Sequence, residues 1–301
     1  MIKKRLVLFD GNAILHRAYW AFPTTLTTKQ GELVNAVYGF SKIVLRVLTD
    51  LKPAYVICAF DLPGPNFRHR EFIGYQAQRP KMEADLVSQV DRVHQVVRAL
   101  DIPIFTKNGY EADDVLGTLA NLAKNKKAVE VVIVTGDKDI LQLVDDRVKV
   151  LIPSQGFANP TLFGPKKVKE VLKVSPQQVV DFKALTGDSS DNYPGVPGIG
   201  PKTAQQLLTR FPSLEAIYDN LDKIDNQSVR NKLENGKDSA FLSQKLARIV
   251  TDLQLKFDLK KARFQDKDNQ QTIDLFEQLG FRSLLKKPQK IGSENNQMSL
   301  I

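Results

Sequence analysis

The stretch Val129-Glu-Val-Val-Ile-Val-Thr-Gly-Asp-Lys-Asp139 decides the fold class. Its first six residues are almost all β-branched and apolar, which is typical of a buried strand, and two aspartates follow closely. Three other short apolar runs have the same character: Leu6–Phe9, Tyr55–Phe60 and Val148–Ile152. These runs predict the buried strands of a mainly parallel sheet.

A helical pattern precedes the strand that begins at Val129. Apolar residues recur there at intervals of three and four and predict an amphipathic helix over residues 111–124. The apolar positions are Ala112, Val115, Leu116, Leu119, Leu122 and Ala123. Because strands alternate with helices, we predict an α/β fold in which helices flank the sheet.

The domain organisation follows from where the strand signals stop. After about residue 165, short helices with Gly and Pro breaks take over. We predict an α/β domain over residues 1–165, a smaller helical domain over residues 166–288 and a flexible, mostly polar tail over residues 289–301. A chain of 301 residues is long enough for two domains.

Carboxylates stand at the ends of the predicted strands. Asp10 ends the first strand, Asp61 ends the second, and Asp137 and Asp139 follow the third. In an open α/β sheet the carboxyl ends of parallel strands border one crevice, which is the usual position of the ligand. The sequence therefore predicts that acids from separate segments meet at one edge of the sheet.

Further acids lie at helical positions. Glu111, Asp113 and Asp114 open the amphipathic helix, and Asp188 and Asp191 repeat the three-residue spacing that places side chains on one helical face. Each acid has a simpler explanation when it is taken singly. First-turn acids complement a helix dipole, and Asp-Gly is a common turn.

Together these carboxylates predict a metal site, because clustered carboxylates repel one another unless cations lie between them. All-oxygen ligands favour Mg²⁺ or Mn²⁺. The scattered His16, His69 and His94 and the single Cys58 offer no zinc-binding pattern. Two ions can orient a water and polarise a phosphodiester, so the predicted site is that of a hydrolase.

The charge of the chain indicates the kind of partner. A net charge of +9 suggests an anionic partner, although exposed basic faces also occur in proteins without one. No apolar run approaches the roughly 20 residues of a membrane span. The apolar stretch after Arg5 stops at Asp10, which is too short for a signal peptide. We therefore expect a cytoplasmic protein without membrane contact.

A glycine-rich loop, Gly195-Val-Pro-Gly-Ile-Gly-Pro-Lys-Thr203, precedes a second apolar helical pattern. It departs from a nucleotide-binding P-loop, because Pro201 separates the lysine from the last glycine and no strand precedes the loop. We predict a hairpin between two short helices whose backbone N–H groups face a DNA phosphate, with a plain helix–helix turn as the alternative. The predicted DNA contacts are Gly198, Gly200, Lys202 and Thr203.

The acid motifs, in their order along the chain, resemble those of a known family. They are Phe9-Asp-Gly-Asn12, Ala59-Phe-Asp61, Tyr110-Glu-Ala-Asp-Asp114, Thr135-Gly-Asp-Lys-Asp139 and Gly187-Asp-Ser-Ser-Asp-Asn192. With the glycine-rich loop behind them, roughly residues 5–285 resemble the bacterial 5′-nuclease family. That family includes the amino-terminal domain of DNA polymerase I and the flap endonucleases.

The resemblance implies a PIN-like α/β nuclease domain, followed by a helix-three-turn-helix domain that grips duplex DNA, often with a bound K⁺. It implies a monomeric, nucleoid-associated 5′-3′ exonuclease and flap endonuclease that acts on 5′-flap, nicked or RNA-primed DNA in replication and repair. The implied ligands of the first ion are Asp10, Asp61, Glu111 and Asp113, and those of the second are Asp137, Asp139 and Asp191. Asp113 would bridge the ions, while Asp114 and Asp188 would act as ligands directly or through waters.

The resemblance also implies a helical arch near residues 62–95, through which a free 5′ strand threads. Gln76 departs from the family, which usually has a lysine there that helps to place the scissile phosphate; either Arg79 carries that catalytic role alone or cleavage is slower. A solvated basic loop is the alternative. The arch residues expected to hold phosphates or stack on a base are Arg68, Arg70, Tyr75, Gln76, Arg79 and Lys81.

The last residues, Gln297-Met298-Ser299-Leu300-Ile301, resemble the short peptide by which bacterial replication proteins dock on the sliding clamp. Their place after a flexible tail favours docking and suggests a free-standing nuclease. Two other functions stay open at this point. One is a flap-binding module without catalysis, which Gln76 raises, and the other is a PIN-type ribonuclease, which needs no duplex-binding hairpin.

Overall fold

The computed structural model describes residues 4–126, 129–153, 160–265 and 270–285. Its strands are β1 (Lys4–Asp10), β2 (Tyr55–Ala59), β3 (Ile104–Phe105), β4 (Val129–Val134), β5 (Val148–Ile152) and β6 (Thr161–Phe163). Within the described residues they form one sheet in the order β3-β2-β1-β4-β5-β6. Neighbouring strands are parallel except β5 and β6, which are antiparallel. The prediction of a mainly parallel sheet is confirmed.

Helices flank the sheet and make up most of the second half of the chain. The first part contains α1 (Gly11–Ala21), α2 (Asn35–Leu51), α3 (Phe67–Glu71), α4 (Ala84–Val87), α5 (Val90–Ala99) and α6 (Ala112–Lys124). Beyond residue 160 follow α7 (Pro165–Leu172), α8 (Val179–Thr186), α9 (Pro201–Arg210), α10 (Leu214–Tyr218), α11 (Gln227–Asn235), α12 (Lys237–Ala247), α13 (Gln270–Gln278) and α14 (Arg282–Leu285). Short 3-10 helices lie at Asp139–Leu143, Pro176–Gln178, Leu221–Lys223 and Leu259–Ala262.

The central strand shows why the sheet is buried on both faces. Leu6 and Leu8 point into a core cluster with the apolar side of α6, whereas Val7 and Phe9 point into a second cluster with α1, α2 and α5. All four side chains are fully buried. Since successive side chains of a strand alternate between faces, an unbroken apolar run is the pattern that a two-sided core requires.

The predicted strands and the helix over residues 111–124 are confirmed to within two residues at each end. Two strands were not predicted from the sequence. β3 has two residues and β6 has three, both at the edges of the sheet, and such short segments carry no measurable periodicity. β6 is also the one antiparallel strand among the described residues.

The end of the described chain returns to the sheet. The Phe264 N–H donates to the Ala54 carbonyl at 3.0 Å, and Phe276, Leu279 and Phe281 are buried in the second core cluster. The predicted domain division is therefore wrong for these residues. α7 to α12 form the helical part, whereas α13 and α14 cover the sheet beside α5.

The predicted arch also differs from the structure. α5 packs against α2 as a layer over the sheet, so residues 90–95 do not belong to an arch. Residues 72–83 form turns and loops, and Tyr75 packs with Tyr193 and Leu246 of the helical part. The segment is thus anchored at its middle. Among the described residues, no helix has the length and apolar content needed to cross a bilayer.

Candidate active site

Asp10 ends β1 and caps α1. Its Oδ1 accepts a hydrogen bond from the Ala13 N–H at 3.0 Å, and its Oδ2 accepts one from the Thr135 hydroxyl at 2.6 Å. Thr135 follows β4, so the neighbouring strand fixes the carboxylate. Burial raises the pKa of Asp10 to about 7, although both hydrogen bonds oppose the rise. Thr135 has a structural role that its motif alone did not reveal.

Asp61 follows β2 and is hydrogen-bonded to the start of α6. Its Oδ1 accepts a hydrogen bond from the Ala112 N–H at 2.6 Å, and its own N–H donates to Asn12 Oδ1 at 2.9 Å. Ala112 is the first residue of α6, where an N–H has no partner within the helix. The free helix end thus brings Asp61 beside Glu111, which caps the same helix.

Asp113 lies in the first turn of α6 and is half-buried. Burial raises its pKa well above the ordinary value, and the nearby negative charges raise it further. The carboxylates that act on it are those of Asp137, Asp10, Glu111 and Asp61. The structure therefore brings together acids that the sequence places up to about 130 residues apart.

A second group adjoins the first. One carboxylate oxygen from each of Asp139, Asp188 and Asp191 lies within 4.8 Å of the others. Lys183 on α8 makes salt bridges to both Asp139 and Asp188. Its ammonium thus offsets part of the negative charge of this group. The sequence did not single out Lys183, because its contact with Asp139 spans 44 residues and follows no motif.

Tyr75 and Gln76 join the two groups. The Tyr75 hydroxyl lies 3.3 Å from Glu111 Oε2 and 3.2 Å from Asp191 Oδ2. Gln76 Nε2 donates to Asp191 Oδ1 at 3.0 Å and to Glu111 Oε1 at 3.4 Å. The prediction that Tyr75 stacks on a base is wrong for this structure, since its ring is 3% exposed and packs inside the protein.

Arg68 and Asp114 form a buried pair. Arg68 is 2% exposed, and its guanidinium makes two hydrogen bonds to Asp114 and one to Glu111. Asp114 is fully buried and also accepts from the Val250 N–H. In this structure Arg68 and Asp114 therefore bind each other inside the protein, and neither directly faces a site for a phosphate or a metal ion.

The other predicted DNA contacts lie at the surface. Arg70, Arg79 and Lys81 are exposed, and the charge of Arg79 acts on the carboxyl of Asp61. In the glycine hairpin between α8 and α9, Gly198, Gly200 and Lys202 are exposed and Thr203 is half-buried. Gly195 has a φ of +63°, and a Cβ there would lie 2.1 Å from the Gly187 nitrogen. The hairpin therefore requires glycine at this position.

The donor set suits hard divalent ions. The clustered side chains offer carboxylate oxygens, and burial also raises the pKa of Glu111 and of Asp139 to about 7. Raised pKa values show that the charged forms are unfavourable without compensation. Divalent cations supply that compensation and prefer oxygen ligands. This cluster of desolvated carboxylates therefore has the chemistry of a metal site.

Two family models match the chain in succession. The model described as 5′-3′ exonuclease, N-terminal resolvase-like domain, matches residues 5–173, and the one described as 5′-3′ exonuclease, C-terminal SAM fold, matches residues 174–270. The chain belongs to the 5′-3′ exonuclease family. The family resemblance predicted from the motifs is confirmed, and the acid cluster is the candidate active site of this family member.

Curated relatives of this 5′-3′ exonuclease family member are DNA polymerases I. The enzyme of Caldicellulosiruptor bescii is 47% identical over 94% of this chain, and that of Bacillus subtilis is 39% identical over 95%. These matches cover 33% and 32% of the relatives, so the chain spans about a third of their length.

Solved structures confirm the fold of the family member. T5 5′-exonuclease with bound divalent zinc ions matches 91% of this chain and 99% of its own, with a TM-score of 0.70 and 20% identity. A complex of the bacteriophage T5 D15 flap endonuclease with DNA and metal ions matches 92% and 100%, with a TM-score of 0.69 and 18% identity.

Proposed function

We propose that this chain hydrolyses phosphodiesters in 5′-flap, nicked or RNA-primed DNA during replication and repair. The observation that supports the proposal most strongly is the continuous carboxylate cluster at the carboxyl edge of the sheet. Two residues of the expected arch reach it: Gln76 donates to Asp191 and Glu111, and the charge of the exposed Arg79 acts on Asp61. With so many acids in one place, the net charge of +9 leaves a larger basic excess on the rest of the chain, which suits a polyanion.

Two divalent ions, Mg²⁺ or Mn²⁺, form part of the proposal. Asp10, Asp61, Glu111 and Asp113 would hold one, and Asp137, Asp139, Asp188 and Asp191 the other. Such ions activate a water and stabilise the charge that develops on a phosphate. The protein orients the ligands in advance: Thr135 fixes Asp10, and the start of α6 fixes Asp61.

The basic residues would place the DNA. Arg79 is exposed near Asp61 and suits a phosphate at the carboxylates, while Gln76 contributes only hydrogen bonds there. The hairpin would hold the duplex through its backbone N–H groups and Lys202, and its carbonyl oxygens would coordinate a K⁺ ion. Binding to backbone phosphates explains recognition of DNA structure without recognition of sequence.

Cleavage of a labelled 5′-flap DNA tests the proposal. We expect release of the flap in Mg²⁺ or Mn²⁺ and no product in chelator, with single-stranded RNA left intact. A folded protein that binds the flap in Ca²⁺ but cuts nothing in Mg²⁺ would instead be a binding module. Preferential cleavage of the RNA would identify a ribonuclease. Either result contradicts the proposal.

The clamp-binding peptide, residues 297–301, lies outside the described residues. We propose that it docks the protein on the sliding clamp, supported by its sequence. Deletion of these residues is expected to abolish binding to an immobilised bacterial sliding clamp and to leave flap cleavage unchanged. Equal clamp affinity of the two forms contradicts this proposal without affecting the nuclease assignment.

A further inference from the structure

Trp20 is the only tryptophan of the chain, and its side chain is 74% exposed. A large aromatic ring left in water at a concave surface is typical of a binding site. The other exposed large hydrophobic side chains of the described residues are Leu62, Ile73, Val87 and Val171, and none of them lines the cleft described next. The exposure of Trp20 therefore indicates a surface that binds a ligand.

Trp20 lies in the wall of a cleft of about 860 Å³ that is also lined by Asp137 and Asp139 of the candidate active site. Ala13, Arg17 and Trp20 follow one another at helical intervals, so one face of α1 forms this wall. The cleft is also lined by Asp137, Lys138, Asp139 and Lys183. A ligand that spans the cleft therefore contacts both Asp137 or Asp139 and the indole ring.

The helix α1 sets the distance between Asp10 of the candidate active site and Trp20. Asp10 caps α1 and Trp20 lies ten residues farther along. At the rise of about 1.5 Å per residue this separation is about 15 Å. It corresponds to about four nucleotides at the 3.4 Å spacing of a stacked strand, and to fewer in an extended strand. Trp20 is therefore within reach of bases close to the bond that is cut.

The surroundings of the ring suit a nucleotide. Trp20 makes an edge contact with the buried Tyr19, with ring centroids 5.1 Å apart at 79°, which restricts its orientation. Arg17 and the exposed Lys138 provide positive charge for the adjoining phosphates. An aromatic ring beside cations is the arrangement that binds unpaired bases without selecting their sequence.

We propose that Trp20 stacks on an unpaired nucleobase of the strand whose phosphate lies at the carboxylates. The inference rests on the proposed nuclease function and adds a residue that grips the unpaired strand. Stacking at this position selects substrates that have a free base near the cut, because a base held inside a duplex offers no open face. Trp20 is thus a specificity-determining residue of the site.

The fluorescence of this 301-residue chain tests the proposal, since Trp20 is its only tryptophan. Titration with 5′-flap DNA in Ca²⁺ is expected to quench and shift the emission. Moving an abasic nucleotide through the four positions on each side of the cut is expected to identify one position at which the quenching is lost. Unchanged emission with a flap that is bound, by anisotropy of labelled DNA, overturns the proposal.

Variants provide the second measurement. Trp20→Ala is expected to bind flap DNA about tenfold to a hundredfold more weakly, whereas Trp20→Phe keeps most of the affinity. Val171→Ala is the control, because Val171 is exposed on α7 away from the cleft. Equal affinities of Trp20→Ala and the parent protein, with normal flap cleavage, overturn the stacking role alone. A parent protein that neither binds nor cuts the flap overturns the nuclease proposal as well.

Discussion

Replacement of Asp113 by Asn is expected to lower the rate of flap cleavage by on the order of 10³-fold. The negative charges of Asp137, Asp10 and Glu111 act on Asp113, so it lies among the proposed ligands of both ions. An amide of the same size removes the negative charge and leaves the packing unchanged. Single-turnover cleavage in Mg²⁺ measures the effect, and binding in Ca²⁺ shows whether the DNA site is intact.

The same variant is expected to be more stable than the parent protein when no metal is present. A carboxyl whose pKa is raised on folding binds more protons in the native state than in the unfolded state. Its contribution to the free energy of unfolding is fully present below the ordinary pKa near 4. That contribution is lost as the pH rises through the raised pKa of the folded state. For Asp10, Glu111 and Asp139 that value is about 7, so the metal-free parent should lose stability between about pH 4 and pH 8.

Thermal unfolding in chelator at pH 5 and pH 8 measures this difference. The midpoint of Asp113→Asn at pH 8 is expected to exceed that of the parent by on the order of 5 °C. Added Mg²⁺ should raise the midpoint of the parent strongly and that of the variant only slightly. Asp225→Asn serves as the control, because Asp225 is 94% exposed and remote from the cluster. A less stable Asp113→Asn at pH 8 contradicts the view that the cluster is strained by its own charge.

The positions of the acids were predictable from the sequence because strand ends are. Each apolar run marks a strand, and in a parallel sheet the carboxyl ends share one edge, so Asp10, Asp61 and Asp137 had to lie close together. The helix start at Glu111 was equally visible from its periodicity. What the sequence lacked was any signal for contacts between distant segments, such as that of Lys183 with Asp139.

The basic run at Phe67-Arg-His-Arg-Glu71 shows a second limit. Arg68 and Arg70 look equivalent in sequence, but α3 turns them to opposite sides, because residues two apart on a helix differ by about 200°. Arg68 points inward to Asp114, and Arg70 points to solvent. The identity of the buried arginine depends on the packing of α3 against α6, which no local pattern specifies.

Replacement of Arg68 by Met is expected to lower the free energy of unfolding by about 3–5 kcal/mol, because it leaves the fully buried Asp114 without its partner. Arg68 also donates to the carbonyls of Leu246 at 2.8 Å and Arg248 at 3.0 Å, at the end of α12. A single guanidinium thus joins α3, α6 and the helical part. Urea unfolding measures the loss.

Two comparisons separate the buried ion pair from a general effect of charge. Arg70→Met is expected to change the free energy of unfolding by less than about 0.5 kcal/mol, since Arg70 is exposed. Combining Arg68→Met with Asp114→Asn should recover part of the lost free energy of unfolding. With an amide at residue 114, no unpaired charge is buried there. Equal losses for the Arg68 and Arg70 variants would show that the pair does not stabilise the junction. Because Arg68 also holds Glu111 at 2.9 Å, the double variant should regain part of the stability but cleave flap DNA more slowly than the parent protein.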